Sequence, residues 1–258
     1  MLKFSANLSM LFLEVDFLQR FKAAADSGFT AVEFMFPYDY PADTLKALLA
    51  QNKLQHTLHN LPAGDWAAGE RGIARLPGRE AEFREGVAQA IAYAKALGNR
   101  KINCLIGKTP AGSDAVSVTP LVVENLRYAA QALAKEGLML LIEPINHFDM
   151  PGFYLTGTQQ ALDLIERVGC DNLFIQYDIY HMQRMEGELA NTLIRHADKI
   201  GHLQVADNPN RNEPGTGEIN YDFIFNLIKN SDYDGWVGCE YKPRARTEEG
   251  LGWLNAYR

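Results

Sequence analysis

The chain has 258 residues, of which 47% are hydrophobic and 22% charged, and 25 Lys and Arg stand against 32 Asp and Glu for a formal charge of −7. That balance excludes a broad nucleic-acid surface, which needs concentrated positive charge, and no stretch approaches the ~18 uncharged apolar residues of a membrane span. A small anionic substrate stays open, because two or three local cations can hold one.

From the N-terminus, Leu2–Leu8 reads as a strand and not as a signal peptide, since its apolar run is short. Seven more short apolar runs follow: Ala31–Phe36, Gln55–Asn60, Lys101–Ile106, Leu138–Glu143, Leu173–Asp178, Ile200–Ala206 and Gly235–Tyr241. Each is bounded by polar residues, Gly or Pro, as buried parallel strands are. Helical periodicity fills the intervals. The spacing predicts helices over Phe17–Ala25, Ala42–Ala50, Glu124–Glu136, Thr158–Val168, Glu188–Ala197 and Tyr221–Lys229, and one after Pro77-Gly78 carrying Phe83, Val87, Ala90, Ile91, Ala94 and Leu97. Eight strands alternating with helices imply a parallel sheet, and the count of eight favours a single-domain α/β fold of the (β/α)8-barrel type over 1–258. A dinucleotide-binding sheet is disfavoured because no Gly-x-Gly-x-x-Gly follows a strand. Cys104, Cys170 and Cys239 are scattered and odd in number, which fits free thiols in a reducing cytoplasm.

Barrel chemistry sits at the C-terminal ends of the strands. Those positions hold Asn7, Glu33, His59, Lys108, Glu143, Asp178, Gln204 and Glu240. The last four embed an acid or amide at the end of an apolar run, where a carboxylate is costly unless paired, hydrogen-bonded or metal-bound. They lie on consecutive strands and converge on one volume. An all-oxygen set of Glu143, Asp178, Gln204 and Glu240 suits Mg2+ or Mn2+. The alternative is a metal-free acid/base site in which Gln204 and His181 orient substrate. No organic cofactor is expected. Two facing glutamates, Glu143 and Glu240, suit proton transfer between adjacent carbons through an enediolate. His59, Lys108, His181, Arg211 and Lys242 are candidates to hold a substrate carboxylate. The segment Leu61–Gly78, with four glycines, reads as a long loop whose Trp66, Glu70 and Arg71 can cover the substrate.

Seven stretches together carry a resemblance: Phe-Ser-Ala-Asn7-Leu-Ser-Met, Val-Glu33-Phe-Met-Phe-Pro-Tyr, the run from His59 through Gly72, Leu-Ile-Glu143-Pro-Ile-Asn, Gln-Tyr-Asp178-Ile-Tyr-His181-Met-Gln, Glu-Pro-Gly-Thr-Gly-Glu-Ile-Asn-Tyr and Gly-Cys-Glu240-Tyr-Lys-Pro. Over nearly its whole length the chain resembles the hydroxypyruvate isomerases of the xylose-isomerase-like TIM-barrel superfamily. The resemblance implies interconversion of hydroxypyruvate and 2-hydroxy-3-oxopropanoate, with Glu143 and Glu240 catalytic, and it implies a homo-oligomer. It also places the superfamily's metal positions on Glu143, Asp178, Gln204 and Glu240, the third of which is often His in ketose epimerases. The neighbouring readings are an isomerase or epimerase of a longer sugar acid such as a 2-oxo-tetronate, a multi-zinc phosphodiesterase, which would need more histidine and a basic surface, and a sugar-binding barrel without chemistry.

Overall fold

A computed structural model describes residues 1–109 and 117–257. Among these residues are nine parallel strands: β1 (Lys3–Asn7), β2 (Ala31–Glu33), β3 (Gln55–His56), β4 (His59–Asn60), β5 (Lys101–Cys104), β6 (Met139–Ile142), β7 (Leu173–Asp178), β8 (Ile200–Val205) and β9 (Trp236–Cys239). Their order is β3-β2-β1-β9-β8-β7-β6-β5-β4. β3 and β4 are two pieces of the single strand expected over Gln55–Asn60, and they join the two ends of this order. Thr57 N donates to Val32 O and Phe34 N to Leu58 O on one side, while Leu61 N donates to Asn103 O on the other. The sheet is therefore closed into a barrel of eight staves, which removes exposed edges.

Among the described residues eight α-helices lie outside the staves: α1 (Phe17–Asp26), α2 (Ala42–Gln51), α3 (Glu80–Leu97), α4 (Thr119–Ala134), α5 (Thr158–Val168), α6 (Ile179–Met185), α7 (Leu189–Arg195) and α8 (Tyr221–Lys229). β1 shows how sequence sorts side chains between the two spaces. Phe4 points outward and meets Phe225 of α8 and Trp253 edge-on at 5.5 and 5.3 Å. Ser5 and Asn7 point inward, where Ser5 Oγ lies 2.8 Å from Thr57 Oγ1. Aliphatic residues fill the wall and the helix layer, whereas the barrel axis is polar.

Two of the α-helices differ from expectation. α4 starts at Thr119, ahead of Glu124, because Pro120 lacks an N–H in the first turn, where none has an intrahelical acceptor, and Val122 and Val123 are already buried. α6 was not foreseen. It begins where the Asp178 carboxylate accepts the Tyr180 amide at 2.9 Å, a side-chain cap that starts a helix directly at the strand end. That cap fixes Asp178 and presents His181 to the barrel mouth. A further short 3-10 helix, Thr247–Ala256, closes the chain under β1 and α8.

Register then aligns the site. A shift between Ile175 and Gln176 sets Asp178 beside Gln204 on β8, and Gln204 beside Gly238 on β9. A side chain at position 238 would collide with Glu33, since a Cβ there would stand 2.4 Å from its Oε1. Glycine at that point leaves the barrel interior open to a carboxylate.

Candidate active site

At the C-terminal mouth, Glu143 follows β6, Asp178 ends β7, Gln204 lies on β8 and Glu240 follows β9. All four are buried. Contacts link them in sequence around the mouth. His181 Nε2 lies 3.8 Å from Glu143 Oε1 and 3.6 Å from Asp178 Oδ2. One nitrogen of Arg211 reaches both Asp178 Oδ2, at 3.5 Å, and Glu240 Oε1, at 2.7 Å. Arg211 comes from the loop after β8, where Asp207 accepts the amides of Gly215, Gly217 and Ile219 and pairs with Asn212. That tight hairpin turns Arg211 inward, at φ 58°. Its Nε is buried without a hydrogen-bond partner among the described residues.

Beneath the mouth a hydrogen-bond network anchors Glu240. Gln204 Nε2 donates to Glu240 Oε2 at 2.6 Å and to Glu33 Oε1 at 2.8 Å. Asn7 Nδ2 donates to the same two carboxylates, at 2.8 and 3.1 Å. His202 Nε2 lies 2.8 Å from Glu33 Oε2. Among the described residues Glu143 has a single direct donor, Asn103 Nδ2, at 3.1 Å. The Gln204 carbonyl oxygen is taken by Gln176 Nε2 at 2.7 Å. Two carboxylates on one side therefore fix the amide with its nitrogen toward Glu240, so Gln204 donates hydrogen bonds there.

Burial dominates the proton affinities. Desolvation, then the charges of Glu240 and Asp178, push Glu143 well above the usual carboxylate range. Desolvation raises Glu240 to about 8 and Asp178 to about 6, each partly offset by Arg211. Arg211 is penalised by burial, but the surrounding carboxylates outweigh this and hold its proton more tightly than usual. His181 is driven well below the ordinary histidine value, first by desolvation and then by Arg211 and Arg184, so it is neutral.

Glu143, Asp178 and His181 can each bring one ligand atom within 4.8 Å of the others, a grouping able to hold a metal ion. It shares Glu143 and Asp178 with the expected set and adds His181, while Glu240 lies outside it. The two carboxylates suit a hard cation. His181 suits one only when its Nε2 carries no proton.

The remaining expected residues are dispersed. His59 turns away from the mouth, because the break between β3 and β4 sends its ring into the helix layer. There Nε2 meets Ala90 O at 3.2 Å, and the ring stacks on His56 at 5.3 Å. Asn60, next in the chain, faces inward and accepts from Asn103 at 3.2 Å. Glu70 closes its own loop, accepting the Asp65 amide and pairing with Arg79. Arg71 donates to the carbonyls of Trp66 and Glu70 and lies 3.9 Å above the Trp66 ring, which packs against Phe36 at 5.0 Å. This loop is held to the next one by Gly72, where a Cβ would stand 2.0 Å from Leu105 O. Lys108 pairs with Phe153 through the backbone and its carbonyl accepts from Arg75. The Lys242 backbone braces Arg211, donating to its carbonyl at 2.7 Å, while the residue is exposed.

Sequence reasoning passed over Asn103, Asn146, Gln176 and His202 as site residues, and left Asn7 and Glu33 without a role. The signal for Asn103 was present: it is an amide inside the apolar run Ile-Asn-Cys-Leu-Ile. His202 gave none, since period-2 reasoning does not tell a barrel interior from a helix-facing wall.

This chain belongs to the xylose isomerase-like TIM barrel family, whose pattern matches residues 21–257. It is 72% identical over 258 residues to the hydroxypyruvate isomerase of Escherichia coli K12, covering all of both chains. A 2-oxo-tetronate isomerase of Cupriavidus necator is 49% identical over 255 residues, with 99% of this chain and 98% of that one covered. Among solved structures, a Brucella melitensis protein described as an AP endonuclease, family 2, superposes with a TM-score of 0.97 at 45% identity, covering all of both chains.

Proposed function

We propose that this protein is an isomerase that interconverts hydroxypyruvate and 2-hydroxy-3-oxopropanoate by proton transfer. The observation that carries the mechanism is the joining of two buried glutamates, Glu143 and Glu240, through His181, Asp178 and Arg211 in one barrel mouth. Glu240 removes a proton from the hydroxyl-bearing carbon. The electron pair forms the carbon–carbon double bond of an enediolate, and charge moves to the neighbouring oxygen. Glu143 then delivers its proton to the adjacent carbon, while the hydroxyl proton passes to the other oxygen. The reverse reaction exchanges the two roles.

Arg211 holds the substrate carboxylate, for which its unpartnered buried Nε is available. His181 donates to the enediolate. A divalent cation, Mg2+ or Mn2+ by the hardness of the carboxylate oxygens, would be held by Glu143 and Asp178 and would supply positive charge to the substrate oxygens. Trp66 and Arg71 cover the mouth from the loop after β4. Among the described residues no helix is long and apolar enough to cross a membrane. The free cysteines fit a reducing cytoplasm, and the family likeness implies a homo-oligomer. A nucleic-acid substrate is disfavoured by the net charge of −7.

The Cupriavidus relative supports a second reading, a four-carbon 2-oxo acid on the same machinery. A coupled assay that offers hydroxypyruvate and 2-oxo-tetronate separately decides between them. Turnover of hydroxypyruvate at a kcat/KM above that of the four-carbon acid is the expected result, and the reverse ranking favours the second reading.

A further inference from the structure

His181 is buried beside two carboxylates, and which of its ring nitrogens carries the proton decides what it can do there. Nε2 faces Glu143 and Asp178. Nδ1 faces Asn146, whose backbone N–H points at it at 3.5 Å and whose side-chain Nδ2 lies at 2.6 Å. A backbone amide only donates, so Nδ1 is read as an acceptor without reference to the side chain.

The side chain agrees. Asn146 Oδ1 accepts the Asp149 amide at 2.8 Å, while Nδ2 lies 3.2 Å from the Asp149 carboxylate. These two bonds, one to a donor and one to an acceptor, fix which end of the amide is nitrogen. Asp149 is itself fixed by the Tyr180 hydroxyl at 2.8 Å and by Arg184 at 2.7 Å.

We propose that Asn146, held by Asp149, sets the tautomer of His181 with its proton on Nε2, making it a neutral hydrogen-bond donor to a substrate oxygen and not a base or a cation ligand. The Nε2–H aims between Glu143 and Asp178 at distances too long for a hydrogen bond to either, which leaves it for an oxygen placed between them. Asn146 is thus a positioning residue acting through His181. The tautomer is independent of the reaction, whereas its catalytic consequence rests on the isomerase reading.

The test is nitrogen-15 NMR of the full-length protein labelled at histidine, with His181 assigned by its loss in His181→Gln. The wild type is expected to show an unprotonated Nδ1 and a protonated Nε2. Asn146→Asp offers an acceptor to Nδ1 and should invert the tautomer. It should lower kcat for hydroxypyruvate about 100-fold, the scale of losing one donor to a developing oxyanion, with KM changed less than about threefold. Asn146→Ala should show mixed tautomers and an intermediate kcat. A wild-type His181 protonated on Nδ1 overturns the assignment even if no variant folds. An inverted tautomer with undiminished kcat overturns the catalytic role. The predicted tautomer in a wild-type protein inactive on hydroxypyruvate would instead overturn the isomerase reading, and the catalytic role with it.

Discussion

Among the described residues Glu240 accepts hydrogen bonds from Asn7, Gln204 and Arg211, whereas Glu143, across the mouth, accepts one from Asn103. Donors to a carboxylate favour its charged form, and an adjacent guanidinium does so most strongly. Both glutamates lose comparable solvation, so the donors decide which ionises first. Glu240 is the carboxylate that gives up its proton more readily, and Glu143 is the one that keeps it. A fold that surrounded both equally would hold two bases or two acids, and neither pair can move a proton from one carbon to the next.

Removing either member tests the pair most severely. Glu240→Gln and Glu143→Gln should each lower kcat by about two to four orders of magnitude, the scale of a general base or acid. Steady-state kinetics with unchanged circular dichroism checks this, and a variant within tenfold of wild type breaks the pairing.

Arg211→Met acts most strongly on Glu240, the carboxylate that Arg211 pairs with at 2.7 Å. It takes away the cation that offsets the burial of Glu240, and kcat/KM should fall by about 10- to 100-fold, as for loss of a hydrogen bond to a charged group. The pH profile sharpens the comparison. A base must be deprotonated to act, so wild-type activity should rise with pH through about 8, the value to which burial raises Glu240. In Arg211→Met the rise should move to higher pH. A rise that stays in place would mean that another group is the base.

Asn103→Ala touches the other side. Loss of one neutral donor should lower kcat by roughly three- to tenfold. The rising limb should stay in place, because Asn103 does not contact Glu240.

The smallest effect lies outside the barrel wall, where burial holds His59 neutral and lowers it to about 4. The unfolded chain takes up that proton near the ordinary value of about 6.5. The folded value is the lower one, so stability is complete above about 6.5 and is lost as pH falls toward about 4. Urea unfolding across that window should be steeper in pH than for His59→Gln by about 1.4 kcal/mol per pH unit. Equal slopes would place the His59 ring in contact with solvent.

The fold was largely legible because parallel staves buried on both faces read as continuous apolar runs, as Leu173–Asp178 did to the residue. The third stave was harder. Gln55–Asn60 reads as one strand, but its backbone breaks at Thr57 and Leu58, and the break sends His59 outward and Asn60 inward. The acids at the ends of β6 to β9 were legible for a related reason: a carboxylate closing an apolar run is costly enough to be a signal. The donors that distinguish Glu240 from Glu143 were not. Asn7 and Gln204 look alike as strand-end amides, and which atom each presents depends on neighbours more than 25 residues away. The helix carrying His181 was hidden because its cap, Asp178, had already been counted as a strand residue.

The central claim is that hydrogen moves as a proton held by a side chain. The direct measurement is to run hydroxypyruvate to equilibrium with the enzyme in D2O and to follow carbon-bound deuterium in both acids, against an enzyme-free control. Deuterium entering carbon at the enzymatic rate, at the carbons next to one another that exchange their oxidation level, is the predicted result. Full interconversion over many turnovers with no deuterium on carbon beyond the control would mean a direct hydride shift, and would contradict the account.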